Sequence, residues 1–427
     1  MSGFQSEIIQ KYNPYVKVFV SGPKWSKEGG VGQYRLYKIE TKMNHQTEMF
    51  AVYRRFRDFD WLYQILQLKY PACIIPPIPP KNAMVNWYAD ESEQIQSRKA
   101  GLERFLSKAM SHRIMCESDD LKGFLIEADH TFEDRKKQSQ TFIAENSDQS
   151  QSYSSIALNA VSSVFSKASS KLSGYVWTNN SPKPSIRKQS FGQQNPEAQL
   201  ELDRFLNNEE YLETLKESFH SLSQEILTLI DCTEESSKNY SSLSENFSSF
   251  TNMKGANIDQ LYVLSKDISQ TFQLTSNQMK DVLEEQVQKL KEPIDDYRLM
   301  IDAALDACLR RRQLVFRYYE MVEQQQKSQQ MVHEDHTGQL RTQYQQLTKK
   351  IEETFEKVTE SKKTLEVELK LFRQQKEVEL KNLISEFVRI QKISNERMKH
   401  HWQTFLAKSE VVAKDSASIQ SQYNDKY

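Results

Sequence analysis

The chain has 427 residues, 57 Lys+Arg against 58 Asp+Glu, and a formal net charge of −1. No apolar run approaches the roughly 18 residues that a helix needs to cross a bilayer, and the start MSGFQSEIIQ lacks the basic residues and apolar middle of a secretory signal, so a cytosolic protein is expected. Four scattered cysteines, Cys73, Cys116, Cys232 and Cys308, argue against a zinc site and a disulfide framework and read as core thiols. The near-neutral total also hides an asymmetry. Residues 1–137 carry 21 Lys+Arg against 17 Asp+Glu, residues 138–195 carry 5 against 2, and the remainder is acidic, 31 against 39. A front half of this modest charge suits an anionic membrane or an acidic partner better than duplex DNA, so no nucleic-acid partner is expected.

From Val16 to Tyr53 the chain reads as strands. VKVFVSG, QYRLYKIET and TEMFAVY are β-branched and aromatic, with Gly22, Gly29, Gly30 and Asn44 between them. Next comes YRRFRDFDWL, Tyr53 to Leu62, with three arginines in four residues closed by Phe56, Phe59 and Trp61. Arginine keeps its proton and offers a planar fork of donors to carboxylate or phosphate oxygens. Nucleic acid, an acidic protein and a phosphorylated lipid headgroup all satisfy that chemistry. Pairing of the arginines with Asp58 and Asp60, with Phe56 and Phe59 in the core, is the purely structural alternative. A short helix then stops at Pro71, and IIPPIPPK favours extended geometry. QSRKAGLERFLSKAM and SDDLKGFLIEA read as helices, the second with Ser118 as N-cap. Sheet first and helices after it predict an α+β domain over residues 1–137.

Residues 138–195 are rich in Ser, Asn, Gln and Pro, as linkers are. Within them, about 154–176, Leu158, Val161, Phe165, Ala168, Leu172 and Tyr175 recur at spacings of three and four, opposite serines and Lys167 and Lys171. This predicts an amphipathic helix. From Pro196 onward, residues 196–427 are almost free of glycine and proline and read as three long helices, broken near Met253 and at Gly338. The third shows an apolar stripe, Leu340, Tyr344, Leu347, Ile351, Phe355 and Val358, then Leu380, Leu383, Phe387 and Ile390. Pro293 is expected to bend the second helix. Three helices of this length leave apolar surface that dimerisation would cover.

Taken together, RRF-x-DF at Arg54–Phe59, IPPIPPK, and R-x-x-x-L-x-x-F through Arg98, Leu102 and Phe105 resemble the phosphoinositide-binding pattern of PX domains. The three long helices, including DACLRRRQLVFRYYEM and HHWQTFLAKSE, are similar to the BAR region of retromer-associated sorting nexins. The resemblance to PX-BAR sorting nexins covers nearly the whole chain. It implies a PX domain, a linker, and an all-α BAR domain that forms an elongated dimer, either a homodimer or a heterodimer with another such nexin. It further implies that Arg55 contacts the 3-phosphate of phosphatidylinositol 3-phosphate, Phe56 stacks on the inositol ring, Lys81 meets the 1-phosphate and Arg98 holds the ring hydroxyls.

Met84, Val85, Trp87 and Tyr88 lie in NAMVNWYAD, a segment with neither helical nor strand period, and read as a membrane-inserting loop. Leu158, Val161, Phe165 and Leu172 of the linker helix would insert as well. Arg310, Arg311, Arg312 and Arg317 are candidate lipid contacts on the helices. HEDH at His333–His336 has its histidines three apart, not the four of a zinc-binding HExxH, and GGVG at Gly29–Gly32 lacks the context of a phosphate loop. No catalytic set and no cofactor site are recognisable. The expected function is a non-enzymatic peripheral protein of early endosomes that senses or drives curvature for cargo retrieval with retromer. A PX-tethered coiled-coil scaffold without remodelling activity is the alternative.

Overall fold

The computed structural model describes residues 16–26, 34–43, 49–79, 91–145, 196–251, 260–332 and 339–424. The chain divides into two compact units, residues 1–212 with 302–369, and residues 213–301 with 370–427.

The first unit opens with an antiparallel meander of three strands, β1 (Val16–Ser26), β2 (Tyr34–Met43) and β3 (Met49–Arg55), in the order β1-β2-β3. Alternation decides which face is buried. Val18 and Val20, then Tyr37, Ile39 and Thr41, then Val52 and Arg54 all point into the core, while the residues between them stay at least partly exposed. The register of β1 on β2 shifts between Ser21 and Lys24, where Gly22-Pro23 interrupts the ladder.

Four helices close over that face: α1 (Phe56–Lys69), α2 (Glu91–Ser111), α3 (Asp119–Ile126) and α4 (Asp129–Glu145). Their apolar positions recur at helical spacing, Phe59, Leu62, Ile65 and Leu66 on α1 and Leu102, Phe105, Leu106 and Ala109 on α2. Phe124 packs edge-on to both Phe59 (4.9 Å) and Phe132 (5.7 Å), so α1, α3 and α4 share one aromatic cluster. Glu103 on α2 accepts the Val20 N–H at 2.9 Å and ties that helix to β1. The small antiparallel sheet with helices after it is the expected α+β arrangement. Two details differ from expectation. Ser118 does occupy the N-cap of α3, but its hydroxyl makes no capping hydrogen bond. And α4 continues through residues 138–145, the opening of the expected linker. Its composition is too polar to announce a helix, but Trp61 on α1 donates to the Ser139 hydroxyl at 2.9 Å and Lys136 reaches Asp58 at 2.7 Å.

The long helices are α5 (Pro196–Thr251), α6 (Gln260–Gln286), α7 (Glu292–Val332) and α8 (Gln339–Asn424). α6 and α7 are joined without a break through a π-helical turn, Val287–Lys291, so three continuous rods result, as expected. The wide turn has a cause in Pro293. A proline clashes with the carbonyl four residues earlier, here Lys289, and opening the turn there relieves the clash.

In the second unit, Phe219, Tyr297 and Phe372 form a stack with centroid distances of 4.8 and 5.5 Å. Phe272 gathers Tyr240, Phe247 and Trp402 within 6.0 Å. α5 and α6 approach closely through reciprocal serine pairs. Ser237 and Ser276 each donate to the other's carbonyl, and Ser244 and Ser269 do the same. Such small residues let backbones come near and still satisfy their own hydroxyls. The apolar stripe on α8 is only partly as expected. Ile351, Val358 and Ile390 are buried, whereas Phe355 and Phe387 are exposed, and Leu365, Leu369 and Phe372 carry the burial between them.

Cys73, Cys116 and Cys308 are buried thiols, but Cys232 is exposed on α5, which corrects the reading of all four as core. Burial pushes the Cys73 and Cys308 thiols up to about 12, with Glu368 and Glu209 adding to the effect. Because the thiolate is the reactive species, an aqueous thiol reagent is expected to modify one cysteine in the native protein and four after unfolding. Cys232→Ser should remove the native reaction, as read by mass spectrometry of the labelled chain.

Candidate anionic-headgroup site

The site begins where β3 turns into α1. Strand alternation sends Arg54 inward and Arg55 outward, so two adjacent arginines acquire different roles. Arg54 is almost completely buried. Its guanidinium donates to the carbonyls of Tyr53 (3.1 Å), Phe124 (3.1 Å) and Glu127 (2.6 Å) and pairs with Asp129 at 2.9 Å, while lying 4.1 Å from the Phe132 ring. Desolvation pulls its pKa down, and Asp129 and Asp58 oppose the shift. This arginine belongs to the core, and so does Phe59. Arg54's partners are Asp129 and backbone carbonyls, neither Asp58 nor Asp60.

Arg55 stands at the N-cap of α1 with extended backbone, and its N–H donates to Asp58 Oδ2 at 2.9 Å. Asp58 thus satisfies an open donor of the first helical turn and sits at the positive end of the helix dipole. Its other oxygen takes Lys136 at 2.7 Å and a looser contact from Arg55 Nε at 3.5 Å. The Arg55 side chain stays 41% exposed, with its position set from below by Asp58.

Phe56, the first residue of α1, is half-buried against the core. The Arg98 guanidinium on α2 lies 5.7 Å from its ring centroid, close enough for a cation–π contact. A third segment joins them. Pro79 rests on Gly101 of α2, where an added Cβ would lie 3.1 Å from the proline ring, so glycine lets the proline stretch sit closer than a side chain there would without a small shift. The fold therefore brings Arg55, Phe56 and Arg98 beside the end of the proline stretch. A planar charged fork, an aromatic face and a second guanidinium can together hold a phosphorylated, ring-shaped polar group. Lys81 and the loop residues Met84, Val85, Trp87 and Tyr88 lie outside the described residues, as do Leu158, Val161, Phe165 and Leu172.

The basic cluster on α7 divides in an instructive way. Arg310 is 3% exposed and donates to the carbonyls of Pro71 (3.2 Å) and Cys73 (2.8 Å), and Arg311 is 0% exposed. Neither reaches a membrane surface, because consecutive helix positions point about 100° apart and these two point inward. Arg312 is half-buried and paired with Glu209 at 2.6 Å, which leaves Arg317 as the exposed member. Sequence reading also missed Gly101, whose only signal is a glycine inside a helical pattern, and Asp129 as the partner of Arg54.

Comparison with known proteins bears on the domain that carries these residues. The PX domain family matches residues 42–128. Sorting nexin 1 of Arabidopsis thaliana is 35% identical over 142 residues, 33% of this chain and 35% of that protein. The vacuolar protein sorting-associated protein vps5 of Schizosaccharomyces pombe is 34% identical over 118 residues, 27% of this chain and 20% of that protein. Among solved structures, the cryo-EM structure of the SNX-BAR Mvp1 tetramer aligns with 91% of this chain and 99% of its own, with a TM-score of 0.52 at 16% identity. The chain thus carries a PX domain followed by helices in the SNX-BAR fold. Part of the chain is similar in sequence to a sorting nexin, and its helices share the fold of an SNX-BAR protein. The matched stretches span 35% and 20% of these two relatives' lengths.

The two adjacent arginines are separable by experiment. Arg54→Ala empties the volume of a buried side chain and leaves three carbonyls without this donor, whereas the Asp129 carboxylate is 77% exposed and keeps its water, and the change is expected to cost about 3 kcal/mol of stability. Arg55→Gln should stay within about 0.5 kcal/mol of the parent. Urea denaturation of the two variants beside the parent checks both values.

Proposed function

We propose that this protein is a non-enzymatic peripheral membrane adaptor that binds phosphatidylinositol 3-phosphate through Arg55, Phe56, Lys81 and Arg98. The observation that carries this reading is the contrast at the β3–α1 turn. Arg54 is consumed by the core, while the neighbouring Arg55 is held half-exposed by Asp58 beside the Phe56–Arg98 pair. A fold that keeps a guanidinium positioned but exposed next to an aromatic ring suits an anionic ligand with a ring.

In this reading residues 1–137 form the headgroup-binding domain, 138–195 a linker with an amphipathic helix at about 154–176, and 196–427 the dimerising BAR domain. The dimer, with itself or with another PX-BAR sorting nexin, covers apolar side chains such as Ile384 and Val388, one turn apart on α8 and 60% and 57% exposed. The loop side chains Met84, Val85, Trp87 and Tyr88 enter the lipid, and Arg317 adds an anionic-lipid contact. Headgroup, inserted apolar groups and curvature are each weak signals that linkage makes additive, which selects one membrane. The protein acts at the cytoplasmic face of early endosomes in cargo retrieval with retromer, a link suggested by its likeness to vps5.

Arg55→Gln removes a charge-assisted contact worth about 1.5–3 kcal/mol. It is expected to weaken binding to vesicles containing phosphatidylinositol 3-phosphate by at least about tenfold, and Phe56→Ala should weaken it less. Vesicle sedimentation at fixed salt decides this, and equal binding by Arg55→Gln and the parent rejects the headgroup site.

Curvature is tested separately at the linker helix. Its polar face is mostly serine, so apolar insertion at about 25 cal/mol per Å² supplies the affinity, and lipid-packing defects on curved bilayers favour it. Phe165→Glu should retain vesicle binding and self-association yet stop tubulation in electron micrographs. Normal tubulation by that variant rejects insertion of the linker helix, and a parent that fails to tubulate vesicles favours the tethered scaffold.

A further inference from the structure

We propose that Glu368 on α8 and Arg310 on α7 are positioning residues for the headgroup site, holding the two segments that carry it from behind. The proposal rests on the headgroup reading above and adds residues that lie far from it in sequence. All the groups involved belong to the first compact unit.

The segment from Pro71 to Pro79 has neither helix nor ladder to satisfy its backbone. Buried peptide groups need partners, and here the long helices supply them. Arg310 spans two carbonyls, Pro71 through Nε at 3.2 Å and Cys73 through Nη2 at 2.8 Å. Glu368, 5% exposed, accepts the Ile74 N–H at 3.4 Å. The same carboxylate takes His112 Nε2 at 2.8 Å and Arg113 Nε at 3.5 Å, the two residues that follow the end of α2. One carboxylate therefore grips both the root of the proline stretch and the foot of the helix that carries Arg98. At the other end these segments meet again, where Pro79 rests on Gly101. A shift of either segment would move Arg98 relative to Phe56 and Arg55.

Cys73, His112 and Glu368 place a thiol, an imidazole nitrogen and a carboxylate within 4.8 Å of one another, a donor set that also suggests a metal. The hydrogen bonds oppose it. His112 Nδ1 accepts the N–H groups of Ile114 (3.2 Å) and Met115 (3.3 Å), which puts the ring proton on Nε2, facing Glu368. A metal-bound imidazole needs the reverse arrangement, a bare nitrogen at the ion and an N–H donated outward. Arg113 and Arg310 beside the cluster add positive charge that a cation would have to overcome. The cluster is a hydrogen-bonded joint.

A positioning role is reciprocal. If the joint favours headgroup binding, the headgroup must tighten the joint by the same factor. The Ile74 amide reports this directly, because its acceptor is Glu368. The test uses the full chain as parent, Glu368→Gln, Arg310→Lys and Arg55→Gln. Vesicle binding is measured on phosphatidylcholine with and without phosphatidylinositol 3-phosphate, and hydrogen exchange with and without its soluble short-chain form. Glu368→Gln and Arg310→Lys are each expected to weaken binding about fivefold or more, the lower range of site-to-site coupling. In the parent the headgroup should slow exchange of the Ile74 amide, and Arg310→Lys should lose that response. Should Glu368→Gln fail to fold, Arg310→Lys decides, since it keeps the charge and most of the bulk.

Unchanged binding by Arg310→Lys, or a parent Ile74 amide indifferent to the headgroup, overturns the proposal. If Arg55→Gln abolishes binding while both joint variants bind as the parent, the brace alone is wrong. If Arg55→Gln binds normally, the headgroup reading falls and the brace with it.

Discussion

The buried guanidinium of Arg54 is the contact on which the first unit turns. Its four hydrogen bonds join the end of a strand to two carbonyls at the end of α3 and to the carboxylate that opens α4. A charge taken that far from water is tolerated only when its hydrogen bonds are met. The sheet, α3 and α4 must therefore hold their mutual places for the cost to be offset. One residue later the chain leaves the core. Arg54 turns inward and Arg55 outward by strand alternation, so the charge that the proposed site would offer follows the charge buried beside it.

Asp58 carries that arrangement one turn further. It accepts the Arg55 N–H, receives Lys136 from α4 and stays near enough to the Arg55 side chain to limit where it swings. The proposed anion site thus contains a buried anion of its own, set below the exposed cation. The Coulomb attraction orients Arg55 without covering it, since the contact at 3.5 Å is looser than an optimal paired geometry. The same logic recurs behind the site, where Glu368 collects an imidazole, a guanidinium and a backbone amide. Polar groups in this protein act in pairs of layers, an inner one that is satisfied and an outer one kept in place by it.

The helical rods follow other rules. Their contacts in the second unit include aromatic stacks, which bury apolar surface, and reciprocal serine pairs, which let two helices come close. The π turn before Pro293 shows a local chemical cause for a break in regularity that would otherwise pass for flexibility. Along α8 several large apolar side chains, Ile384 and Val388 among them, remain exposed, which the proposed dimer would cover.

Local chemistry was legible in the residues alone. Strand alternation, helical spacing, the proline stretch and the lack of glycine after Pro196 are properties of neighbouring residues, and they predicted a sheet followed by helices and three long rods. The motif around Arg55, Phe56 and Arg98 could be recognised because its members are few and their types unusual together. Burial could not be read in the same way. Four arginines in α7 look alike in sequence, yet Arg310 and Arg311 are interior, Arg312 is paired and Arg317 faces water, because a helix turns about 100° at each residue and only packing decides which direction is inside. Phe355 and Phe387 fitted the apolar stripe on α8 but lie exposed, and Cys232 departed from the other three thiols for the same reason. The pairing of Glu368 with His112, 256 residues apart, has no signature along the chain. Sequence determined which groups were available, and the tertiary structure alone decided which of them meet, because hydrogen bonds and desolvation act through distances in space.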